Sequence, residues 1–183
     1  MRKLIIALIL AFTFSTAFGA SLKLTTNSSA LVEKVGSKDR PGLLLKFELP
    51  SELLKIPSAA EGQNARIDLA LLRFEVNPDT SKEGLGLLVR PMLAPWVSGL
   101  NLTALPDSAA SPFHANTGKV GFKTGTAKAE VTLAVKTWQK GELPNLGFLI
   151  YSADESTASL QPKSLSSGGV AELEIFYTAP EKE

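Results

Sequence analysis

From Ala20 onward, short apolar runs are separated by clusters of Gly, Pro, Asn, Asp and Ser. Runs with a period of two read as half-buried strands, and the clusters between them read as turns. In residues 42–49, Lys46 and Glu48 alternate with Leu45, Phe47 and Leu49, so one face is apolar and the other polar. Pro50 ends that strand, and residues 51–56 give at most one helical turn. Residues 65–76 form the clearest strand, with Ala70, Leu72, Phe74 and Val76 on one face. Arg73 and Glu75 take the other face, but Asp68 is in phase with Ala70. A bulge or twist over residues 69–71 absorbs that shift. Leu69 and Leu71 make the strand apolar on both faces, which predicts a central position.

Further strands are predicted over residues 85–89, 128–133, 146–152 and 170–177. In the last, Leu173, Ile175 and Tyr177 alternate with Glu172, Glu174 and Phe176. Residues 130–152 read as a strand end, a turn around Trp138, a Gly141-Glu142-Leu143-Pro144 loop and a second strand. The longest irregular region is residues 91–126, with a short strand over 119–123. Gly or Pro interrupts every candidate helix. The fold class expected is all-β, an antiparallel β-sandwich of jelly-roll type, because two packed sheets bury strands of this number and length most economically.

The N-terminus changes the picture of location. Arg2 and Lys3 precede an apolar run from Leu4 to Phe14, followed by small residues. That is the pattern of a secretory signal, too short to span a bilayer as an ordinary helix. Cleavage is expected after Gly19 or after Ala17. Residues 1–19 are then a signal peptide and 20–183 a single domain, long enough for a core without staples. Losing Arg2 and Lys3 takes the formal charge from +1 to −1. A nearly neutral chain lacks the basic face that nucleic acid requires. Cysteine is absent, so neither a disulfide framework nor a lipobox cysteine is present. The expectation is a secreted protein, extracellular or periplasmic, with no membrane span once the signal is removed.

Several residues fall in an order that resembles the DNRLRE domain, a secreted β-sandwich found beside carbohydrate-active enzymes and on bacterial surfaces. Gly36 precedes Leu44, Leu45, Lys46, Phe47, Glu48 and Leu49. Ile67, Ala70, Leu72 and Phe74 match the next strand. Glu130, Val131, Thr132, Val135, Trp138, Gly141, Asn145, Gly147, Phe148 and Ser152 follow the family's C-terminal order. Leu173, Ile175 and Tyr177 resemble its closing strand. Glu130 stands where the family has Asp, and the second Trp of the middle segment is missing. The resemblance implies a carbohydrate-binding-module-like domain, and some similar modules bind alginate, an acidic glycan.

The residues suggest sites of the same kind. Trp138 reads either as a core residue or as a sugar-stacking platform, with the core favoured. Trp96 is either an exposed platform or a loop anchor. With Phe47, Phe74, Phe148, Phe176 and Tyr177 assigned to strands, Trp96, Phe113 and Tyr151 are the aromatic residues left for display. Arg66, Arg73, Arg90, Lys119 and Lys123 are the candidate basic ligands of an acidic polysaccharide, because Arg forks onto carboxylates and Lys supplies a mobile charge. The competing reading pairs them with Asp68, Glu75 or Glu130.

His114 is the one histidine and cannot build a usual zinc site alone. Ser111 lies near it without a recognisable triad order. Asp39, Asp79, Asp107 and Asp154 lack clustered calcium spacing. No catalytic residue, metal ligand or cofactor is therefore assigned. The expected function is non-catalytic binding or organisation of extracellular polysaccharide. The alternative is a structural or adhesive surface protein acting through protein–protein contacts. A polar groove lined by Trp96 and basic residues favours the first; an apolar patch favours the second.

Overall fold

The computed structural model describes residues 19–26, 28–37, 41–54, 65–75, 85–98, 102–120, 126–152 and 171–178. In chain order the strands are β1 (Gly19–Thr25), β2 (Ser28–Val32), β3 (Gly42–Lys46), β4 (Arg66–Glu75), β5 (Leu85–Pro91), β6 (Ala115–Val120), β7 (Thr126–Glu130), β8 (Phe148–Ser152) and β9 (Glu172–Thr178). A helix, α1 (Thr132–Gln139), lies between β7 and β8. One sheet has the order β1-β9-β4-β7 and the other β2-β3-β8-β5-β6. Neighbouring strands pair antiparallel throughout. The protein is an all-β sandwich.

The first sheet keeps the period-two pattern. Ile67, Ala70, Leu72 and Phe74 of β4 are buried, as are Leu173 and Ile175 of β9 and Ala127 and Ala129 of β7. These residues share the inner face, and each fully buried Leu, Ile or Phe contributes roughly 1.5–3 kcal/mol. The register of β4 against β9 shifts between Ile67 and Leu69. This bulge lies just before residues 69–71 and puts Ile67 and Ala70 on one face while Asp68 stays exposed. β4 is interior to its sheet, as its two apolar faces require.

The inner strands β3 and β8 of the second sheet are buried on both faces. All five residues of β8 are buried, and so are Leu43, Leu44 and Leu45 of β3. The polar outer face expected along residues 42–49 therefore begins only at Lys46. Its outer face is covered by residues 102–111. Leu102 and Leu105 form parallel bridges to Val32 and Val35. Val35 lies so close to Gly42 that a Cβ there would come within 2.9 Å of it. Gly147, φ +88°, enters β8 under a tighter constraint, because a Cβ would collide with the Leu45 carbonyl oxygen. Asn145 holds this approach: its Nδ2 donates to the Phe47 carbonyl at 2.8 Å, and its Oδ1 accepts from Gly147 N–H.

Three expectations are corrected. The strand expected over residues 128–133 ends at Glu130, and Trp138 lies on α1 instead of a turn. Val135 and Trp138 face the core from that helix, and tertiary burial outweighs the weak helix propensity of its β-branched residues. The short strand expected over residues 119–123 is β6, which starts earlier, at Ala115. β1 and β2 were not anticipated. β1 begins at Gly19 and pairs it with Thr178, so the strand includes the residue before Ala20.

Candidate functional site

The basic candidates do not share a surface. Arg66 and Arg73 stand on β4 of the first sheet, Arg90 on β5 of the second, and the backbone of Lys119 on β6. Lys123 lies outside the described residues. Arg66 Nε bonds Asp68 Oδ1 at 2.9 Å, and Thr178 Oγ1 donates to Asp68 Oδ2 at 2.8 Å. The Thr178 hydrogen bond, followed by the Arg66 contacts, holds the Asp68 carboxyl below its ordinary value. Arg73 pairs with Glu172 at 3.5 Å and with Glu174 at 2.6 Å. Lys23 approaches the same two carboxylates from β1. The outer face of the first sheet is thus a mixed charge lattice in which Lys23, Arg66 and Arg73 are matched locally.

Arg90 departs furthest from the display expected of it. It is 7% exposed. Its five N–H donors all have acceptors. Nε bonds the Ser111 carbonyl at 2.6 Å, Nη1 bonds Asp107 Oδ1 and Tyr151 Oη, and Nη2 bonds the carbonyls of Asp107 and Ala110. Burial disfavours its charge, but the hydrogen bonds it donates to Tyr151 and Asp107 overcome this and raise its pKa above the ordinary guanidinium value. Arg90 therefore fastens residues 107–111 to the sheet's outer face. Tyr151, also a candidate for display, is buried as part of this cluster.

Neither tryptophan is a free platform. Trp138 is buried against Phe148. Trp96 is half-buried, and its Nε1 donates to the Leu146 carbonyl at 2.7 Å. Trp96 anchors its loop to the segment leading into β8.

The structure instead opens a cleft of about 250 Å³ between α1, residues 111–115 and strands β5 and β8. Val89 and Phe148, from the inner face of the second sheet, form its base. Val131 and Ala134 form the α1 wall. Two side chains stand at the surface beside it: Phe113, 69% exposed, and Leu133, 63% exposed. Glu130 and His114 are the titratable residues among those lining it. Glu130 accepts from Thr132 Oγ1 at 3.1 Å, and Thr132 Oγ1 in turn accepts from Ala70 N–H, which ties the start of α1 to β4. Position 133 follows from this tie, since Thr132 faces the sheet and its neighbour turns outward.

Ser111 is buried and its hydroxyl accepts from Phe113 N–H; His114 Nδ1 lies 3.4 Å from the Pro112 carbonyl. These contacts direct the hydroxyl and imidazole to the backbone. Among the described residues, no group of three or more His, Cys, Asp or Glu converges as a metal site. Asp107 is engaged by Arg90, and Asp39, Asp79 and Asp154 lie outside the described residues. No helix among the described residues is long and apolar enough to cross a membrane. Sequence reasoning reached Phe113 by elimination among the aromatics, but missed Leu133, which a strand would have placed differently. Compared with models of known families and with curated proteins, the chain matches none.

Proposed function

We propose that this chain is an exported, non-catalytic recognition domain that acts at the cell surface through contacts with another protein. The observation that carries this reading is the pair Phe113 and Leu133, exposed beside an apolar cleft. Exposed apolar side chains grouped around a pocket are the usual form of an interaction site. The separation and pairing of Arg66, Arg73 and Arg90 weigh against an acidic-polysaccharide groove. The charged start and apolar run of residues 2–14 support export. The strand orders β1-β9-β4-β7 and β3-β8-β5-β6 support the jelly-roll form of the sandwich.

Polysaccharide binding is the second reading. Phe113 favours it, since an exposed ring can stack on the C–H face of a sugar, and so does the DNRLRE resemblance. Binding of labelled protein to cells of the source separates the two. On the protein-contact reading, protease treatment of the cells abolishes binding and periodate oxidation does not. The double substitution Phe113→Ser/Leu133→Ser abolishes it, while Arg66→Gln/Arg73→Gln retains it. Loss on periodate with survival after protease would assign the ligand to glycan.

A further inference from the structure

The cleft's size and its charge together describe the group that fits it. A cavity of roughly 150 Å³ lined by Leu, Ile and Phe stays dry and takes a benzene ring. This cleft, at about 250 Å³ and lined mainly by apolar side chains, has room for one ring side chain and part of its backbone. The base is fixed, because Val89 and Phe148 are strand residues with almost no exposure. At the surface Glu130 is the one residue of the described lining that carries a formal charge. A ligand whose apolar ring enters the cleft therefore gains most if its next group is a cation.

We infer that the cleft receives an apolar ring side chain of a partner protein whose sequence neighbour is Arg or Lys. This rests on the protein-contact reading of the same site, and it names the partner's chemistry. Phe113 and Leu133 exclude water around the inserted ring, as near-neutral contacts do around a buried anchor. The cation sits at the wet mouth and contributes selectivity more than affinity, because exposed pairs are weak and screened by salt.

The test is a nuclear magnetic resonance titration of the folded chain with N-acetyl-Phe-Arg-amide, N-acetyl-Phe-Glu-amide and N-acetyl-Ala-Arg-amide. The Phe-Arg probe is expected to shift the Ala134 and Val89 methyl signals and to bind about three- to tenfold more tightly than Phe-Glu at low salt. Glu130→Gln, which keeps the acceptor for Thr132, is expected to erase that preference without abolishing ring binding. The Ala-Arg probe is expected to leave the methyls unmoved. Equal binding of Phe-Arg and Phe-Glu overturns the inference. So does the absence of methyl shifts with either Phe probe. Neither result touches the broader reading, which fails separately if binding to cells survives in the Phe113→Ser/Leu133→Ser variant.

Discussion

Trp138 packs on Phe148 with ring centroids 4.7 Å apart and planes tilted by 49°. This contact joins α1 to β8, and Phe148 is at once the helix's support and part of the cleft base. Trp138→Ala is expected to cost about 3–5 kcal/mol, much of a domain's stability. Its indole N–H has no hydrogen-bond partner among the described residues, so Trp138→Phe forfeits packing alone and costs less. Denaturant midpoints of the two variants check both expectations. An unchanged midpoint for Trp138→Ala would contradict the burial of the ring.

Arg90 predicts a different failure. Arg90→Ala removes the guanidinium donor of the buried Ser111 and Ala110 carbonyls and one contact each of Asp107 and Tyr151, and is expected to cost about 2–5 kcal/mol, at roughly 1–3 kcal/mol for each buried acceptor left unpaired. Arg90→Lys rescues little, because an ammonium lacks the planar fork that serves these acceptors. Asp107→Asn is expected to be mild, since its carboxylate is 69% exposed. Amide hydrogen exchange at residues 107–111 provides the local reading: exchange there accelerates in Arg90→Ala.

Asp68 supplies a pH marker on the opposite sheet. Its pKa is depressed below 3.8 by the Thr178 and Arg66 contacts. A depressed carboxylate stabilises the fold above its unfolded pKa, and that contribution is lost as pH falls through the lower folded value. The effect is therefore confined to acid below about pH 4. A carbon-detected titration should place the Asp68 midpoint below 3.8, and Thr178→Val should raise it.

The start of β1 bears on export. Gly19 pairs with Thr178, so a cut after Ala17 preserves the whole register, whereas a cut after Gly19 removes its first pair. N-terminal sequencing of protein from its native host is expected to find one of these two ends, with the intact strand favouring the cut after Ala17. An intact Met1 on exported, folded protein would contradict cleavage.

The strands legible in the sequence are those whose alternation has large residues to show it. β4 and β9 announce themselves through Ile67, Leu72, Phe74, Leu173 and Ile175. β1 and β2 carry small and polar residues such as Ser21, Ser28 and Ser29, and their pairing partners decide them. α1 was hidden because Thr132, Val135 and Thr137 favour strands and no side-chain cap marks its start. Reading residues 128–133 as a strand and Trp138 as a turn lost the position of Leu133. Arg90 alternates outward from Val89 as a displayed residue would. Its burial depends on Asp107 and Tyr151, which lie 17 and 61 positions away in sequence. Phe113 was within reach because few aromatics remained outside strands.

The central claim is that recognition runs through the cleft and not through the charged sheet face. The most direct measurement is the hydrogen-exchange footprint of the intact chain bound to source cell surface. Protection concentrated in residues 111–115 and 131–137 is the result expected. Protection concentrated on the outer face of β1, β9 and β4, around Lys23, Glu174 and Arg73, with the cleft segments unchanged, would contradict it.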